Sequence, residues 1–231
     1  MTSTVYWGSP RQARLEGKET LPAKLDLILE RLNLRERVKD EYVAIKLHLG
    51  NNLSYSTIHP VFVRKVIQAV KDGGGRPFVV DLDWDVAGHE QRGYSHETLG
   101  CPVYPTNGLR DQYVYTRQWA YKNITEWKLG GMIHDATFIV NFAHVKGHPS
   151  CSFGAAFKNL ALGSMASKTR SQMHDAAVRA ASRLRSAPCR NSVVASSTRT
   201  SRYGVACCAR LAMSGATAAC VPACGTTTAT T

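Results

Sequence analysis

Two short apolar runs flanking one amphipathic helix limit what this chain can become. Tyr42-Val43-Ala44-Ile45-Lys46-Leu47-His48-Leu49 is rich in β-branched residues and stops at Gly50-Asn51-Asn52, and Pro77-Phe78-Val79-Val80-Asp81-Leu82 repeats the pattern. Between them Pro60 opens a stretch whose apolar positions Val63, Val66, Ile67 and Val70 recur at helical spacing, and Gly73-Gly74-Gly75 ends it. Strand, helix and strand joined by short links form a βαβ unit, whose strands lie parallel. A third strand is expected over Ala136–Phe142, and a helix from Leu21 to Leu32, with Pro22 in its first turn and Leu21, Leu25, Ile28, Leu29 and Leu32 on one stripe. Shorter elements are expected as strands at Val5–Trp7 and Gln112–Thr116, and as helices over Lys128–Asp135 and Phe153–Met165. The fold class is α/β, a mostly parallel sheet flanked by helices.

Composition matters at one point, where it breaks. All 17 acidic residues lie at or before Asp175, all eight histidines at or before His174, and the last lysine is Lys168. Residues 176–231 are dominated by Ala, Ser, Thr, Arg and Cys, and their seven arginines account for much of the formal net charge of +12. Residues 1–175 are therefore taken as the α/β domain, and 176–231 as a disordered or irregular tail without the large apolar residues of a core. Simultaneous loss of Lys, Asp, Glu and His, with Arg, Ala, Thr and Cys enriched, is what a shifted reading frame in GC-rich DNA would produce. The tail arginines are scattered with a single Tyr, which disfavours nucleic acid as a partner. Seven cysteines without regular spacing argue against a disulfide framework. Tail positions Cys207, Cys208, Cys220 and Cys224 contain no C-x-x-C and are poorly spaced for an iron–sulfur cluster. No run approaches the length of a membrane span and no secretory signal opens the chain, so no membrane association and a cytoplasmic setting are expected.

Ligands of open parallel sheets bind beyond the carboxyl ends of the strands. The first strand runs out at Lys46 and His48, the second at Asp81, and the third into His144, Lys146 and His148, spaced by two and hence on one face while the chain stays extended. Lys158-Asn159, Lys168 and His174 follow. Imidazoles and a carboxylate are divalent-metal ligands, so His48, Asp81, His144, His148 and His174 are the candidate metal set. Lys46, Lys158, Asn159 and Lys168 are candidates for holding a small anionic ligand, and Lys146 with His148 for acid–base catalysis.

Several of these residues stand in recognisable order. Val43–Gly50, His59-Pro60-Val61-Phe62-Val63 and Gly75–Asp81 resemble the N-terminal half of the domain-of-unknown-function 362 family of bacteria and archaea. His144-Val145-Lys146-Gly147-His148, then Phe153–Leu160, Gly163-Ser164, Lys168 and Met173-His174, resemble its most distinctive segment. The resemblance covers roughly residues 4–175. It implies a redox or electron-transfer role, because family members commonly continue past the position of His174 into a ferredoxin-like segment that holds 4Fe–4S clusters. This chain departs from that pattern where its composition breaks, which puts a cluster here in doubt, and also at Leu82-Asp83-Trp84-Asp85, where members tend to carry Thr and Asn. The leading expectation is an iron–sulfur-associated protein whose α/β domain binds a metal or small anion, with a redox partner protein. The alternatives are an enzyme acting on a small carboxylate by His/Lys acid–base chemistry with a metal cofactor, and a truncated product without activity.

Overall fold

The structure, a computed structural model, describes residues 4–50, 57–82, 88–148, 152–175 and 217–220. Along the chain run α1 (Leu21–Arg31), α2 (Leu34–Arg37), β1 (Tyr42–Lys46), α3 (Pro60–Asp72) and β2 (Arg76–Asp81). Then come α4 (His96–Leu99), β3 (Val103–Pro105), β4 (Val114–Tyr121), β5 (Ile124–Gly130), α5 (Gly131–His134) and β6 (Phe138–Ala143). β7 (Lys146–His148), β8 (Ser152–Gly154), α6 (Ala156–Ala161), a helix α7 over 167–175 and β9 (Thr217–Cys220) complete the described elements.

One sheet organises the body, in the order β3-β2-β1-β6-β9, with every pairing parallel. β1 and β2 are apolar on both faces because both faces are covered. On one side Val43, Ile45, Val79 and Phe142 meet α1 and α3 through Leu25, Leu29, Val63, Val66, Ile67 and Val70. On the other, Ala44, Phe78 and Val80 pack with Ile133. Both helices begin as their sequences dictate. Thr20 Oγ1 accepts the Ala23 N–H at 3.4 Å, and His59 Nδ1 accepts the Val61 N–H at 3.2 Å ahead of Pro60. Gly74, at φ 79°, supplies the left-handed turn after α3. The chain leaves β1 toward β2 on one side while β6 lies on the other, so the topological switch point, where such sheets open a crevice, falls between β1 and β6.

Four local expectations are corrected. Val5–Trp7 is not a strand; Val5 and Trp7 are largely exposed. The strand expected at Gln112–Thr116 begins at Val114 and runs on to Tyr121, as half of an antiparallel hairpin with β5. Lys128–Gly130 therefore belongs to a strand, with Thr116 opposite Lys128, and helix is confined to Gly131–His134. The turn is Lys122-Asn123, with Lys122 at φ 53° and no glycine to announce it. Phe153 lies in β8, and the helix expected from it starts at Ala156 and stops at Ala161, ahead of Gly163. Of the tail, only Thr217–Cys220 is described, as an edge strand along Val140–Ala143. Cys207, Cys208 and Cys224 lie outside the described residues.

Candidate functional site

At the switch point lies a cleft of about 380 Å³, within the size range of small-molecule sites. Its floor is built on β1. Lys46, on the face of Ala44, is 1% exposed, and its ammonium meets three acceptors: Leu47 O at 2.5 Å, Asp81 Oδ1 at 2.7 Å and Asn159 Oδ1 at 3.4 Å. An ammonium has three donors, so all are used. Asp81 Oδ2 accepts the Leu49 N–H at 2.7 Å and lies 3.6 Å from His48 Nδ1. Burial pushes the Asp81 carboxyl up, but the Lys46 ammonium and His48 outweigh it and hold the group down at about 2. Asn159 Nδ2 donates to Lys46 O and to Asn141 Oδ1, both at 2.8 Å, and Asn141 Nδ2 donates to Ala156 O at 2.8 Å. Gly163 is required beside this network, because a Cβ there would come within 2.6 Å of Lys46 Nζ.

The rim comes from the third strand end and the helices behind it. His144, Lys146 and His148 follow β6, Lys158 comes from α6, and Arg170 and His174 from α7; all line the cleft. The His148 and His174 rings are parallel within 1°, their centroids 5.7 Å apart. Burial, with Lys158, His174, Lys146 and His48 nearby, pushes His148 down to about 4. Burial and the charges of Lys158 and Arg170 lower His174, against a smaller opposing effect of Asp175, and burial with Lys146 and His48 lowers His144. At neutral pH these three imidazoles are therefore uncharged, which suits ring atoms His144 Nδ1 and His174 Nε2, both buried without a hydrogen-bond partner. Among the described lining residues Asp81 is the one carboxylate, set against Lys46, Lys146, Lys158 and Arg170.

Nearly every residue singled out from sequence thus reaches one cleft. Lys168 does not: it is exposed on α7, and its charge is felt by Glu126 of β5. One contributor was missed, and another, Arg170, stands in the sequence beside Lys168 and His174 without a role assigned to it. Asn141, a lone amide inside the apolar run of β6, was a legible signal; Arg170, one helical turn before His174, takes the place expected of Lys168.

No three His, Cys, Asp or Glu side chains among the described residues are grouped to hold an ion, and both Asp81 oxygens are already engaged. A cluster needs thiolates. The described free thiol, Cys101, is buried, and burial raises it to about 11. Among the described residues no helix is long and apolar enough to cross a membrane.

No curated protein matches the chain. A family model does, over residues 43–220, from the first residues of β1 to the end of β9 and well past the break at Asp175. The residues that build the cleft lie inside this match, and the chain belongs to the family described as a domain of unknown function, DUF362.

Proposed function

We propose that the α/β body binds a small anion, a carboxylate or a phosphate, in the cleft at the ends of β1, β2 and β6. One observation carries this reading: among the described lining residues four cationic side chains face one carboxylate, and Lys46 already neutralises that carboxylate. Lys146, Lys158 and Arg170 are the other cations of the described lining, and charge-assisted hydrogen bonds from such groups to an anion are strong. The parallel His148–His174 pair favours a second reading, an enzyme acting on a small carboxylate, because an imidazole uncharged at neutral pH can serve as a base once a bound anion offsets the cations that lower it. A cytoplasmic iron–sulfur redox role, with a redox partner protein, is a further part of the proposal and rests on the family resemblance alone.

Calorimetric titration of the full chain with inorganic phosphate and with a small hydroxycarboxylate tests the first reading. Saturable binding of either, weakened in Lys158→Gln, is expected; no heat with any small anion would overturn it. Deuterium loss from the hydroxycarboxylate α-carbon into water, abolished in His148→Asn, is the signature of the second. Iron and acid-labile sulfide analysis on anaerobically purified full chain tests the redox role, which is lost if neither is found.

A further inference from the structure

We propose that the loop from Thr106 to Tyr113 is a clasp, acting through Asp111, that sets α7 and hence Arg170 and His174 over the cleft; this deepens the anion reading and rests on it. Asp111 lies 56 positions before Ser167 in the chain, yet its Oδ2 accepts the Ser167 N–H at 3.0 Å and its Oδ1 lies 3.4 Å from the Ser167 hydroxyl. It therefore caps the first turn of α7 from a distant loop, taking the place of a local N-cap. Arg170 lies one turn further along, 7% exposed, and His174 one turn beyond that.

The loop is held in a costly shape to do this. Arg110 and Asp111 are consecutive non-glycine residues in the left-handed region, at φ 54° and 58°. Such residues persist only where their surroundings over-determine them, and they gather at functional sites. Here the surroundings are explicit. Asn107 Nδ2 donates to Asp111 Oδ1, the Tyr113 N–H donates to Asn107 O at 2.9 Å, and the Gln112 N–H donates to Leu109 O at 3.2 Å. At its other end the Thr106 N–H donates to Asp81 O at 2.6 Å. One loop thus ties the end of β2, where Asp81 anchors the floor, to the helix that carries Arg170 and His174 of the rim. The same helix start is also held by β5, through the Ala166 N–H to Lys128 O at 2.9 Å and the Lys128 N–H to Thr169 Oγ1 at 3.3 Å. Removing Asp111 should therefore shift α7 without releasing it.

Three variants of the full chain test the clasp. Asp111→Ala removes both contacts. Ser167→Pro removes the donor while keeping the first helical position in a residue that suits it. Asp111→Asn keeps an acceptor for the Ser167 N–H, and Asn107, whose Oδ1 has no partner, can turn to accept from the new amide. Asp111→Ala and Ser167→Pro are expected to weaken phosphate binding about five- to tenfold and Asp111→Asn to restore it, the size of a lost helix cap. They should also move the His174 ring resonances in two-dimensional NMR spectra, with Asp111→Asn returning them. A folded Asp111→Ala or Ser167→Pro protein with unchanged phosphate affinity and unmoved His174 resonances would overturn the clasp. Should the wild type bind no phosphate, the anion reading falls; the His174 resonances then decide the clasp alone, moved and rescued in support, unmoved against.

Discussion

Floor and rim line the same cleft and obey opposite rules. On the floor every donor of Lys46 has an acceptor, both oxygens of Asp81 are engaged, and Asn159 and Asn141 close the network. On the rim, imidazoles held uncharged by burial and by neighbouring cations stand among Lys146, Lys158 and Arg170. A closed network has nothing left to offer a ligand, and its work is to hold three strand ends and α6 in register. An electropositive rim has charge to offer. Lys46 and Asn159, expected among the ligand-binding residues, line the cleft with these polar groups engaged within the floor network.

The sharpest way to break this division is to remove one floor charge. Lys46→Ala would leave Asp81 buried without its countercharge, and losing one partner of a buried pair costs about 3–5 kcal/mol. Chemical denaturation should show that loss. The double variant Lys46→Met, Asp81→Leu should recover most of it, because the stranded charge is gone. A Lys46→Ala protein as stable as wild type would mean that the floor is not a closed network.

Acid should separate the two layers by pH window. The carboxyl of Asp81 is depressed to about 2 in the folded state, below its ordinary 3.8. Its contribution is therefore present above about pH 4 and lost as pH falls through 2, and it is on the order of 2 kcal/mol. His148 is depressed from 6.5 to about 4, so the unfolded chain binds the extra proton first and stability falls as pH drops from 6.5 toward 4. Two phases of destabilisation are expected in denaturation measured across pH, with His148→Asn reducing the upper one, to which His144 and His174 also contribute, and sparing the lower. A single phase below pH 4 in the wild type would remove the burial argument for the rim.

On the rim the same kind of change should act on binding and spare the fold. Lys158→Gln is expected to weaken phosphate binding about tenfold, the size of one charge-assisted hydrogen bond, with thermal midpoint unchanged. A large loss of stability with unaltered affinity would move Lys158 from rim to floor.

How much of this could be read from sequence follows from periodicity. β1, α3 and β2 were legible because their apolar patterns were unbroken and bounded by Gly or Pro, and β6 as one more apolar run, and with them came the strand-end rule that gathers Lys46, His48, Asp81 and His144. The β4–β5 hairpin was not, since most of β4 is exposed and shows no clean alternation. Nor could sequence divide floor from rim. Lys46 and Lys146 look alike in a string of letters; that one is saturated by Leu47, Asp81 and Asn159 depends on a contact 113 positions away. Asp111 was invisible for the same reason, as its partner Ser167 belongs to another layer of the fold.

The smallest expected effect is the most discriminating about Lys168. Sequence placed it beside Lys158 as an anion ligand, ten residues further on; the structure turns it outward from α7 toward Glu126, while Arg170 enters the cleft. An exposed charge away from specific contacts changes stability by no more than about 0.5 kcal/mol. Its field in the cleft is screened at physiological salt, where the Debye length is about 8 Å. Lys168→Ala should therefore leave phosphate affinity within about twofold at physiological ionic strength, and any difference should widen as salt is lowered. Arg170→Ala, measured beside it, should lose binding at every salt concentration. Equal losses in both would mean that charge anywhere near the cleft suffices and that helix phase does not select the ligand-bearing side chain. A loss in Arg170→Ala alone would tie anion binding to the face of α7 that the Asp111 cap sets.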